Sequence, residues 1–187
     1  MFLAILPLAI RRSCFKHKAM PLIAAPLTVT EQTVSRRMAA VVDETLRKHL
    51  ALEHCRRVND GDLDGLLELY EENVRFEDPV GSGWQSGHAA FRAHAGAAIS
   101  SGVVEVAGEP VGSQDGRHAS VQVTATMRYL PNGPQLARYG VVEPPENPET
   151  ARMQVRYVMI IAVGKSGLIE EMRAFWGRSD IGVLPAS

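Results

Sequence analysis

Arg117-His118-Ala119-Ser120-Val121-Gln122-Val123-Thr124-Ala125-Thr126-Met127-Arg128-Tyr129-Leu130 alternates along its length. Ala119, Val121, Val123, Ala125 and Met127 fall on one side of an extended chain, and Ser120, Gln122, Thr124 and Thr126 on the other. That period of two belongs to a strand. One apolar and one wetter face is the pattern of an antiparallel sheet laid over a core. Val103–Val111, Ala151–Val163 and Leu168–Gly177 are likewise rich in β-branched residues and are separated by clusters of Gly, Asn, Asp or Pro, as strands and turns require. Upstream the period changes. Met38, Val42, Leu46 and Leu50 recur every four residues, which predicts a helix over 35–58 that Gly61 stops. His54 continues that stripe one turn further, so its imidazole should point inward. Leu63, Leu66, Leu67 and Tyr70 predict a short second helix capped by Asp62, with Tyr70 facing the same interior. The Ala-rich run 88–100 predicts a third, anchored by Phe91. Helices first and strands after argue for an α+β fold, and a curved sheet closing over three helices would leave a pocket.

The chain has 187 residues, 45% of them hydrophobic, enough for one domain with a sizeable core. We expect a leader over 1–34, a domain over 35–181 and a tail over 182–187. The first thirty residues contain no Asp or Glu, and their apolar start precedes Arg11, Arg12, Lys16 and Lys18, the reverse of a secretory signal. Ten apolar residues are also too few to cross a bilayer. A net charge of −1, with no basic run inside the domain, points to neither nucleic acid nor an anionic membrane as partner. Two cysteines, Cys14 and Cys55, make no disulfide framework, which reads as a reducing, cytoplasmic setting. Segment 131–150 holds five prolines and exceeds a hairpin's needs, so we read it as an extended loop near the pocket mouth or a partner.

A candidate for chemistry lies in Phe76-Glu77-Asp78-Pro79-Val80-Gly81-Ser82. With Val74 and Phe76 on one side of a strand, Asp78 ends the apolar row, while Arg75 and Glu77 face the other way. Pro79 and Gly81 stop the strand, which leaves a carboxylate beside a turn at a pocket edge. An Asp there can also simply cap the turn. His88, His94 and His118 show no metal-ligand spacing, and no phosphate loop or nucleophile elbow occurs. Neither metal nor other cofactor is expected.

Asn59-Asp60-Gly61-Asp62-Leu63-Asp64-Gly65, Glu77-Asp78-Pro79-Val80-Gly81-Ser82, Ser86-Gly87 and Met172-Arg173-Ala174-Phe175-Trp176-Gly177 together resemble the Δ5-3-ketosteroid isomerases, of the NTF2-like and SnoaL-like superfamily, over roughly 38–181. The resemblance implies a cone of three helices on a strongly curved, mostly antiparallel sheet. It also implies a homodimer through the sheet's outer face, burying Ser120, Gln122 and Thr124. Asp78 then matches the family's proton-shuttling base. His54 stands where the family carries its oxyanion tyrosine, and an imidazole N–H can also donate. Met159 stands where the family has a protonated carboxylic donor, and a thioether cannot donate. Tyr70 and Tyr157 could partly substitute. Trp176, Phe76, Phe91, Tyr157 and Met159 would line the pocket for a small hydrophobic ketone or steroid-like ligand. The leading expectation is a cofactor-free steroid Δ-isomerase. The alternatives are a SnoaL-like polyketide cyclase or dehydratase, and a non-catalytic ligand-binding module.

Overall fold

A computed structural model describes residues 43–184. The expected leader and the helical positions Met38 and Val42 lie outside the described residues. Asp43 accepts from the Thr45 N–H and caps α1 (Glu44–Asp60), which ends at the left-handed Gly61. Its inward face is Arg47, Leu50, Ala51, His54, Cys55 and Val58, at the three- and four-residue spacing of a helix stripe. Leu46, expected on that stripe, is instead 37% exposed. Arg47 takes the inward place because its guanidinium donates to the carbonyls of Ser113 (3.0 Å) and His118 (2.7 Å).

Asp62 caps α2 (Leu63–Glu68) by accepting from the Gly65 N–H. Tyr70 opens β1 (Tyr70–Glu77) rather than closing this helix, and its ring is buried. β2 (Gln85–Ser86) and α3 (His88–Ser100) follow, then β3 (Val104–Ala107) and β4 (Val111–Gly112), which divide one expected strand. β5 (His118–Arg128), β6 (Arg152–Val163) and β7 (Ile169–Phe175) form the middle of the sheet. β8 (Ile181–Val183) pairs with β6 through Met153↔Val183, so strand pairing crosses the boundary expected at 181.

The sheet runs β2-β1-β7-β6-β5-β3, with β4 also on β5. β1 and β7 pair in parallel, and the other pairs are antiparallel. Register settles which face is which. Val121 lies opposite Met159, and Met159 opposite Ala174. All three are buried against the helices with Leu50, Leu66, Phe76 and Phe91. The next row, Gln122, Val158 and Phe175, faces outward. This is the expected α+β cone.

Segment 131–150 is not an extended loop throughout. α4 (Gly133–Arg138) starts in it, and a second apolar cluster of Tyr129, Val142 and Met153 gathers Leu130, Leu136, Ala137 and Val141. A Cβ at Gly133 would sit 2.3 Å from the Tyr129 ring, so only glycine fits there. Asn132 ties the segment back to α3 by donating to the Ala97 carbonyl and the Ser101 hydroxyl, each at 2.8 Å.

Candidate functional site

Asp78 follows the last residue of β1, and its neighbours fix where it points. Glu77 lies on the opposite side from Phe76, as expected, and is buried there. One of its carboxylate oxygens accepts from the N–H groups of Gly81 (2.8 Å) and Gly83 (3.3 Å), the other from the Arg173 guanidinium (3.1 Å). Those backbone donors and Arg173 hold its carboxyl below the usual carboxylate range. The turn closes over its own first residue, so Glu77 keeps the outer side beside Arg173 and is still shielded from solvent. Val80 N–H donates to the Ala174 carbonyl at 2.8 Å, which fastens the turn to β7.

On this support the Asp78 carboxylate meets two ring nitrogens. Trp176 Nε1 donates to Oδ1 at 2.6 Å, and His94 Nε2 lies 3.0 Å from Oδ2. Trp176, expected as apolar wall, is thus a hydrogen-bond donor to the candidate acid. His94, which has no metal-ligand spacing in the sequence, is its other partner. The Asp78 and His94 side chains are 24% and 32% exposed, so the pair is reachable from solvent.

A second carboxylate comes from β3. Val104 and Val106 point outward at 49% and 66% exposure, which turns Glu105 and Ala107 inward. Tyr157, from the inner face of β6, donates its hydroxyl to Glu105 Oε1 at 2.7 Å. Glu105 Oε2 is buried and has no hydrogen-bond partner among the described residues. A buried acceptor left open calls for a partner. Burial and then the adjacent Glu105 charge raise the Tyr157 phenol well above its ordinary range. Burial, the Glu105 charge and a contact with the Glu105 carboxylate push up the buried Cys55 thiol on α1, which therefore lies beside that carboxylate.

His54 completes the interior. Its Nδ1 lies 2.6 Å from the Tyr70 hydroxyl, and both rings are buried. Burial lowers the His54 pKa, so the ring is neutral near neutral pH; the Glu105 and Asp78 charges oppose that shift. Tyr157 also senses both carboxylates. Asp78, Glu105, His54 and Tyr157 therefore act electrostatically on one region. Phe76, Phe91 and Met159 are packed core at 0%, 0% and 1% exposure, and the Phe91 ring packs tilted by 45° against Tyr70 at 4.3 Å between centroids. Among the described residues, no group of three or more His, Cys, Asp or Glu side chains could hold a metal ion. No helix among them is long and apolar enough to cross a membrane. A cavity of about 460 Å³ lies on the other side of the sheet, lined by Ser120, Ile160, Arg173 and Phe175, away from Asp78.

The SnoaL-like domain family matches residues 51–172, which take in the second half of α1, both carboxylates and the central sheet up to Met172. The chain belongs to the SnoaL-like domain family. "Epoxide hydrolase LasB" of Streptomyces lasalocidi is 52% identical over 158 residues, 83% of this chain and 55% of that protein. The chain thus spans about half the length of this relative. SalBIII is described as an epoxide hydrolase/cyclase-like enzyme in pyran ring formation in the polyether salinomycin. Its structure is 32% identical and superposes with a TM-score of 0.64 over 76% of this chain and 98% of SalBIII. RV0760c from Mycobacterium tuberculosis, solved with estradiol-17beta-hemisuccinate, is 20% identical with a TM-score of 0.58, over 73% of this chain and 97% of its own. At that identity the likeness concerns the fold. Membership of the SnoaL-like superfamily agrees with the resemblance read from the sequence. The steroid isomerase branch within it finds no support among the relatives above 30% identity.

Proposed function

We propose that this SnoaL-like domain opens an epoxide on a hydrophobic, polyketide-like chain by attack of an oxygen nucleophile. The nucleophile is the chain's own hydroxyl, giving a cyclic ether, or water, giving a diol. The observation that carries this reading is the pair of carboxylates turned toward the helices, Asp78 held by Trp176 Nε1 at 2.6 Å and Glu105 by the Tyr157 hydroxyl at 2.7 Å. One carboxylate offers two oxygens already held by the Trp176 N–H and the His94 ring nitrogen, and the other has a buried oxygen with no hydrogen-bond partner among the described residues.

Such an opening needs an acid and a base on opposite sides of the reacting carbon. The protonated carboxyl gives its proton to the epoxide oxygen as the C–O bond breaks. The attacking hydroxyl forms the new C–O bond and passes its proton to the ionised carboxylate. Cyclisation is then an isomerisation with no net proton change; the two carboxyls exchange roles, and exchange with solvent resets them. His54 and Tyr70 add a hydrogen-bonding edge that can orient a substrate oxygen. The epoxide hydrolase and cyclase names of LasB and SalBIII support this chemistry over others that the fold can host.

Steroid isomerisation has less behind it. Met159, where that branch places a donor, is fully buried and cannot donate, so a dienolate oxygen would lose half of its usual support. The decisive experiment offers the protein two probes. A bishomoallylic epoxy alcohol is followed by mass-neutral conversion to a cyclic ether, and a Δ5-3-ketosteroid by the ultraviolet absorbance of a conjugated enone. Turnover of the epoxide that disappears in both Asp78→Asn and Glu105→Gln supports the reading. Turnover of the steroid alone, dependent on Asp78 and indifferent to Glu105, would replace it.

A further inference from the structure

Asn59 contributes nothing to the core, yet its side chain is fully committed. It lies near the C-terminal end of α1 and is exposed. Its Oδ1 accepts from the backbone N–H of Glu105 at 2.6 Å, and its Nδ2 donates to the carbonyl of that same residue at 2.8 Å. Both bonds of one primary amide thus fall on one residue, 46 positions away in sequence. Only one orientation of the amide satisfies both, so the side chain is locked against flipping.

The reason lies in the sheet. β3 is the last strand in the order, and Glu105 pairs with Ala125 of β5 on one side. Its outward N–H and C=O would otherwise face solvent as an open strand edge. The Asn59 amide takes the place of the missing neighbouring strand at this single position. Fixing both backbone groups of Glu105 fixes its Cα, and with it the direction in which the carboxylate enters the interior toward Tyr157.

We infer that Asn59 is a positioning residue for the Glu105 carboxylate. The inference rests on the two-carboxylate reading above. An error of about 1 Å in a reacting group can cost a hundredfold in rate, and a clamp on the backbone of that group guards against such an error.

The test uses Asn59→Ala, Asn59→Asp, Glu105→Gln and the double variants in the full chain, with the bishomoallylic epoxy alcohol as probe. Asn59→Ala should lower kcat by about ten- to a hundredfold with KM little changed. Asn59→Asp, which still accepts from the Glu105 N–H, should fall between Asn59→Ala and wild type. In the Glu105→Gln background, Asn59→Ala should lower kcat no further. A readout independent of turnover is the carbon-13 titration of the Glu105 carboxyl, whose midpoint should move in Asn59→Ala and return partway in Asn59→Asp. An unmoved midpoint, or an equal loss of kcat in both backgrounds, overturns the inference and leaves Asn59 as a fastening of α1 to β3. Wild-type kcat in Glu105→Gln would instead remove the two-carboxylate reading; the titration would still decide whether Asn59 sets the carboxyl's surroundings.

Discussion

The two carboxylates reach the interior by opposite means. Asp78 follows a strand end, in a turn secured by Glu77, Arg173 and the Val80 N–H, and its own two oxygens take ring-nitrogen partners from β7's end and from α3. Glu105 sits inside the last strand of the sheet, with one oxygen on Tyr157 and the other open. The first is held mainly through its side chain, the second mainly through its backbone. An acid and a base that exchange roles need not be built alike. A group whose oxygens are already occupied is oriented before substrate arrives, whereas one with an open oxygen is completed by the substrate.

If both are needed, each single loss should nearly abolish the reaction. Asp78→Asn and Glu105→Gln should each lower kcat for the epoxy alcohol by about 10²- to 10⁴-fold, the range for loss of a general acid or base. The double variant should be little worse than either single one, because groups that act as a unit are not additive. Two independent losses that multiply would break the pairing.

A smaller effect should separate the two supports. Trp176→Phe keeps the ring and removes the 2.6 Å donor to Asp78. A hydrogen bond to a charged group contributes about 1.5–3 kcal/mol, which sets an upper range of roughly ten- to a hundredfold in kcat. The loss should vanish in the Asp78→Asn background and persist in Glu105→Gln. A loss that persists in Asp78→Asn would return Trp176 to a role in lining the site.

His54, bound to the Tyr70 hydroxyl, gives a test of stability rather than rate. Its pKa is lowered in the folded protein from an ordinary 6.5, chiefly by burial. The unfolded chain therefore binds more protons below 6.5, so this contribution is fully present above that pH and is lost as pH falls from there toward the folded value. The slope from this one site is at most about 1.4 kcal/mol per pH unit. His54→Gln should flatten that part of the melting-temperature profile between pH 6.5 and 5. An unchanged profile would show that His54 protonates in place.

The smallest expected effect concerns the outer face, where we propose a homodimer involving Ser120, Gln122 and Thr124. Light scattering at micromolar concentration should return twice the chain mass, and Gln122→Arg should lower it. A monomer mass for the wild type would remove this proposal and leave the outer cavity open to solvent.

These same features separate what the sequence disclosed from what it hid. The alternation of 117–130 and the helical spacing of α1 and α3 specify the α+β cone, because burying one face of each element imposes the pattern. Asp78 was legible for a related reason: proline and glycine mark the turn that delivers it. Glu105 was not, since Val104-Glu105-Val106-Ala107 reads as an apolar strand carrying one solvated acid. The structure inverts that strand, leaving both valines outward and the acid inward. A tertiary decision about which strand face meets the helices overrode hydropathy. His94 was hidden similarly, because its partner is sixteen residues away across a turn. Leu46 was misplaced where the long charged side chain of Arg47 found carbonyl acceptors, and the burial of Glu77 was hidden because it comes from a turn closing on its own carboxylate.

The small cluster around Tyr129, Val142 and Met153 carries a consequence of its own. Met127 and Ile181 pack against both it and the main core, while Asn132 and Arg128 join it to the end of α3 by hydrogen bonds. Segment 129–142 keeps its buried contacts within this small cluster, and such a segment can open as a separate cooperative unit while the body of the fold persists. Amide protons of 129–142 should therefore exchange with deuterium well ahead of those in the middle of β5 and β6. The protein would then have two stabilities, and a single melting curve would report only the larger.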